Sequence, residues 1–149
     1  MEKEETTLRG HFHIAVVRDD VIVEEREAYN IVTAAGKAQV AGLIVLDVGG
    51  TACDHVAVGT GTTAPATAQT ALVGEKYRNA CTGSRTTTTV PNDTGRLTCS
   101  IAITATNTMS EAGVFNSSST GIMLARSTYS AISVNDGDTL NIGYDVAVA

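Results

Sequence analysis

Apolar and polar positions alternate with a period of two along most of this chain. Phe12, Ile14 and Val16 stand between His11, His13 and Ala15, which puts an apolar row on one face of a strand. Arg18, Asp19 and Asp20 make a polar turn, and Val21, Val23 and Glu25 continue in a second strand, so this region predicts a hairpin. Residues 55–58, 72–78, 84–90 and 96–106 read as further strands. The threonines at 86–89 favour β structure over helix, and Pro-Asn-Asp-Thr-Gly at 91–95 is a strong turn. Residues 109–149 read as three short strands joined by tight turns.

One segment departs from this period. Residues 34–46 place Ala34, Ala38, Ala41, Leu43 and Ile44 near helical spacing, with Thr33 as the N-cap. Gly36 and Gly42 each weaken such a helix by roughly 1 kcal/mol against Ala, so its small residues predict compensation by close packing on a sheet. Gly49 and Gly50 then break the pattern. About eight or nine short strands and one helix predict a mainly β fold, an antiparallel sandwich or barrel-like domain. Jelly-roll and Greek-key connections both satisfy the pattern. Residues 1–10 read as an extended N-terminal arm, acidic and solvated at its start, and 11–149 as a single β-rich domain.

At 149 residues the chain can bury roughly 70% of its unfolded surface, enough for a real core. Only 17% of residues are charged and 4% aromatic, so Thr, Ser, Asn and Gly cover much of the surface. A net charge of −6 argues against a nucleic-acid partner, whose phosphates demand Lys and Arg. The acidic opening does not resemble a secretion signal, and no apolar run reaches the roughly 18 residues of a membrane span. The expectation is a chain made in a cytoplasm, with no membrane partner.

Candidate chemistry is thin. Cys53, Cys81 and Cys99 are an odd number at wide spacings, which fits neither a disulfide framework nor a zinc ribbon; buried free thiols are expected. His11 and His13 share one side of a strand and, with Cys53 and His55, could in principle supply four tetrahedral zinc ligands, but the pairs are far apart in sequence, so no metal is expected. Cys53, Asp54 and His55 are consecutive, and strand alternation sends Asp54 away from its neighbours. Cys81 or Ser84 as nucleophile would need a base from one of only three histidines. The Gly-Thr-Gly-Thr-Thr-Ala-Pro loop at 59–65 lacks a P-loop ending, and no helix follows it to hold a phosphate. No catalytic residue and no cofactor are expected. Glu111 and Arg126 are expected to face each other as a cross-strand pair contributing about 0.2–1 kcal/mol. Phe115, Met123, Leu124 and Ile132 read as core.

Met-Ser-Glu-Ala-Gly-Val-Phe-Asn from residue 109, Gly-Ile-Met-Leu-Ala-Arg-Ser from 121 and Asn-Asp-Gly-Asp-Thr-Leu-Asn-Ile from 135 form an ordered set of turns and strands. Together with Tyr-Asn-Ile-Val-Thr-Ala-Ala-Gly-Lys from 29 and Val-Ala-Val-Gly-Thr-Gly-Thr-Thr-Ala-Pro from 56, this block resembles a family of small virion structural proteins of tailed bacteriophages. The resemblance spans 29–149. It implies a β-rich module repeated on a phage particle, as a capsid decoration (cement) protein on the head surface or as a tail, collar or fibre component. The implied partners are the major capsid protein and copies of the chain itself, in a homotrimer, and the implied location is the virion. It carries over no catalytic residues. The compact length and the lack of a heptad shaft favour decoration over a fibre. A carbohydrate- or ligand-binding sandwich is a third class, disfavoured because Tyr29, Tyr77, Tyr129 and Tyr144 are scattered.

Overall fold

The computed structural model describes residues 2–47 and 51–149; Gly49 and Gly50 lie outside the described residues. The strands are β1 (Leu8–Arg18), β2 (Val21–Tyr29), β3 (Ile31–Val32), β4 (His55–Gly59), β5 (Glu75–Ala80), β6 (Thr82–Thr86), β7 (Thr94–Ala102), β8 (Asn107–Phe115), β9 (Met123–Val134) and β10 (Thr139–Val148), with helix α1 at Ala34–Val45. They form two five-stranded antiparallel sheets, ordered β2-β1-β10-β7-β6 and β3-β9-β8-β4-β5. The result is a mainly β sandwich, not a closed barrel.

The inward rows of the two sheets meet in one core. Phe12, Ile14 and Val16 of β1 lie beside Leu140, Ile142 and Tyr144 of β10 and pack with Val56, Val58, Met109, Val114, Ile132 and Val134 of the other sheet. Burying each large apolar side chain contributes roughly 1.5–3 kcal/mol. Phe12 and Tyr144 stack with ring centroids 4.7 Å apart. The residues expected as core, Phe115, Met123, Leu124 and Ile132, are buried.

Each lateral edge is made by one chain that changes sheets. β2 runs through Asn30 into β3, and β5 runs through Cys81 into β6, so a single residue turns each corner. The Asn30 N–H donates to the Gly10 carbonyl at 3.2 Å, and the Cys81 N–H to the Asp54 carbonyl at 2.7 Å. Along the first edge Arg26 donates to the Ser130 and Ala131 carbonyls of β9, tying β2 to the opposite sheet.

Several boundaries differ from the sequence reading. Leu8, Arg9 and Gly10, expected in the arm, belong to β1 and pair with Val148, Ala147 and Val146, while Thr7 and Ala149 exchange backbone hydrogen bonds. The inward alternation starts at Leu8, which packs on the core, and at Gly10 the row carries no side chain because Asn30 and the Tyr144 hydroxyl fill that space. The helix stops at Val45, with Leu46 capping it at a left-handed φ of 56°. Threonines 87–89 stay out of the sheet: Asp93 accepts from the Thr88, Thr89 and Val90 N–H groups, an alternative to ladder pairing. β7 begins at Thr94, inside the expected turn, and ends at Ala102, short of the expected 106; β5 is shifted to Glu75–Ala80. The last three strands are long, and the tight turn after β9 carries β10 into the other sheet.

Two turns are set by local chemistry. Asp19 and Asp20 both take positive φ, 50° and 62°, the form whose twist suits a two-residue hairpin. At the β9–β10 turn Gly137 has φ 89°, and the Asp138 carboxylate accepts from the Asn135 N–H and from Arg18. The Arg18 hydrogen bond holds the Asp138 carboxyl below its ordinary value.

The Tyr144 hydroxyl is buried with no protein hydrogen-bond partner, and burial pushes its pKa upward. Tyr144→Phe therefore removes an uncompensated polar atom and should leave stability unchanged or slightly raised in thermal melts. A loss above about 1 kcal/mol would show that the hydroxyl is bonded in solution.

Candidate functional site

An apolar cleft of about 770 Å³ opens where the helix, β3 and the two chain ends meet. Thr33 makes it by ending β3 and starting α1: its hydroxyl accepts the Gly36 N–H at 2.9 Å and donates to the Met123 carbonyl. Gly36 then lies against the backbone of Leu124, closer than any side chain allows, so the helix seats directly on β9. One side of the helix walls the cleft with Val40, Ala41 and Ile44, opposite Leu8, Ile31 and Val148. Apolar groups of its lining are open to solvent: Ile44 is 79% exposed, Val148 51% and Ile31 37%. On a surface otherwise rich in Thr, Ser and Asn, such a patch suits protein contact.

Beside it runs the long segment 60–74, whose glycines resembled a phosphate cradle. It does hold an anion, and the anion belongs to the protein. Glu111, fully buried on β8, accepts from the Gly61 N–H at 2.9 Å, the Gly74 N–H at 2.6 Å and the Val73 N–H at 3.0 Å. Added side chains at Gly59 or Gly61 would run into this carboxylate, which explains the glycine spacing. Arg126, equally buried, donates to Glu111 through Nε and Nη2 at 3.0 and 2.8 Å, and through Nη1 to the Thr63 carbonyl and Gln69. Burial alone would raise the Glu111 carboxyl; the Gly74 N–H, Arg126 and the remaining donors outweigh it and bring it below the ordinary value. The pair is corrected on two counts. It is diagonal, since Glu111 is opposite Thr128 and Arg126 opposite Gly113, and it is the buried anchor of a loop, not a weak surface pair.

The remaining candidates are spread out. His11 and His13 face Glu27 and Glu25 across β1–β2 at 4.0 and 3.6 Å, whereas His55 sits on β4 in the other sheet with Nδ1 2.6 Å from Asp54, which strand alternation was expected to turn away but which precedes the strand. No group of three or more His, Cys, Asp or Glu among the described residues is placed to hold a metal. Cys53 is half-buried against the core, and burial with the Asp54 charge pushes its pKa up to about 11, which suits a packing thiol and not a nucleophile. Ser84 is exposed on β6. The structure does bring together two residues that the sequence reading kept apart: the Cys81 and Cys99 Sγ atoms are 2.6 Å apart. A signal existed in the turn at 91–95, because a hairpin about that turn sets β6 against β7.

The chain matches no protein-family model, no curated protein and no solved structure.

Proposed function

We propose that this protein is a structural, non-catalytic component of a tailed-phage virion, a capsid decoration protein that binds the outer face of the head. The observation that carries this reading is the apolar cleft whose lining residues Ile31, Ile44 and Val148 are open to solvent. Such a surface gains free energy by being covered, and the partners proposed are the major capsid protein and further copies of the chain in a homotrimer. The sequence resemblance to virion structural proteins of tailed phages supports the same reading. Binding only the assembled shell stabilises that state by mass action, with no chemistry required. Many copies at modest affinity then add to a large effect.

Particles lacking the protein are expected to assemble but to lose DNA at lower temperature or under osmotic shock, and added protein is expected to restore them. Robust particles that fail to adsorb to host cells would instead assign the protein to the tail, collar or fibre. Ile44→Asp places a charge in the cleft at an exposed position, so the fold should persist while particle binding falls at least tenfold, about 1.4 kcal/mol. Unchanged binding together with an unchanged circular-dichroism melt would remove the cleft from the interface. Sedimentation at working concentration tests the trimer.

A further inference from the structure

β6 and β7 pair with Thr82 opposite Thr98, so the next residues along, Cys81 and Cys99, stand opposite each other at the end of the ladder. Their sulfurs are 2.6 Å apart, about 0.5 Å beyond the length of an S–S bond. Both residues are free, half-buried thiols packed on the rim of the core. Their backbones are held from either side: the Cys81 N–H is bonded to Asp54, and the Asn79 amide donates to the Ser100 carbonyl at 3.0 Å.

We propose that Cys81 and Cys99 form a dithiol–disulfide site, oxidised by exchange with a small disulfide such as oxidised glutathione, that locks the sheet-switching corner onto β7. Sharing a proton across the pair lowers the Cys81 thiol and raises Cys99, which makes Cys81 the attacking thiolate. The Cys81 sulfur attacks one sulfur of the oxidant, forming a mixed disulfide and expelling one glutathione thiolate. The Cys99 sulfur then attacks Cys81, its proton passing to the expelled thiolate, and the second glutathione leaves. Two protein thiols lose two electrons, and one oxidised glutathione becomes two reduced molecules. Cys53, with its raised pKa, stays a thiol. In a reducing cytoplasm the site is open; in oxidising surroundings it closes, cross-linking positions 18 residues apart and constraining the unfolded chain. This inference does not rest on the virion reading.

The test treats the native, full-length chain with oxidised glutathione, stops the exchange with acid, and only then unfolds the chain and alkylates it with a maleimide at neutral pH. The expected product carries one alkyl group, on Cys53, where the reduced protein carries three. After trypsin, the peptide 79–85 should run joined to 97–126, and dithiothreitol should separate them. The oxidised protein should melt higher by roughly 10 °C, an increase that Cys81→Ser and Cys99→Ser each abolish while keeping the reduced melting point within a few degrees. Three alkylated cysteines after prolonged exchange, a glutathione adduct that persists on Cys81, or a disulfide that leaves the melting point unchanged would each overturn the proposal.

Discussion

Replacing Arg126 with methionine is expected to lower the free energy of unfolding by about 3–5 kcal/mol, because it leaves the fully buried Glu111 carboxylate facing backbone donors alone. Glu111→Gln should cost a similar amount, since it strands the Arg126 guanidinium and weakens the hold on Gly61, Val73 and Gly74. Proteolysis offers a local readout. Cleavage within 60–74 should appear in Glu111→Gln well before global unfolding, as that segment loses the carboxylate that gathers it. Urea melts within 1 kcal/mol of the parent for both variants would show that the pair is dispensable. The Glu111 pKa is lower folded than unfolded, so its contribution is fully present above the ordinary value of 4.5 and is lost as pH falls through the depressed folded value. Asp138, also lowered, acts in the same direction. Stability should therefore fall on acidification below about pH 4.5, and the acid slope should be shallower in Glu111→Gln.

Gly36→Ala is expected to destabilise the protein by about 1–3 kcal/mol, although helix propensity alone predicts a gain of roughly 1 kcal/mol. A methyl group at this position would meet the Leu124 carbonyl and Cα within the helix–sheet contact. Either the helix lifts from β9, disturbing the Thr33 cap and reshaping the cleft, or the strand backbone moves. Thermal melts decide the sign, and a stabilised variant would mean that the helix rides higher on the sheet, clear of Leu124. Lys37→Ala, on the neighbouring and exposed position, supplies the comparison.

Much of the local structure was legible because it is encoded over short distances. Alternation in 12–16 identifies the inward row of β1, the Asp19–Asp20 turn follows from polar residues between strands, and Thr33 followed by small residues marks the start of the helix. Where local cues misled, a side chain remote from simple propensity had intervened. The threonines at 87–89 favour strand, yet Asp93 withdraws the N–H groups of residues 88–90 from pairing. The loop at 59–65 was read correctly as no phosphate cradle, but the carboxylate its glycines surround arrives from residue 111, far along the chain, and no local cue announces it.

The sequence by itself determined the class of fold, the main helix and most of the inward-facing residues, since period, capping and turn chemistry act between near neighbours. Beyond the hairpins, tertiary structure alone decided which strands share a sheet. The turn after Val134 could close a hairpin or cross the sandwich with the same residues, and β10 crosses because its other neighbours, β1 and β7, offer two full ladders. It also decided that Glu111 and Arg126 are buried, that Cys81 meets Cys99, and that the helix leaves an apolar cleft against the chain ends. Each depends on contacts between residues distant in sequence, whose free energy is realised only when both sheets are in place.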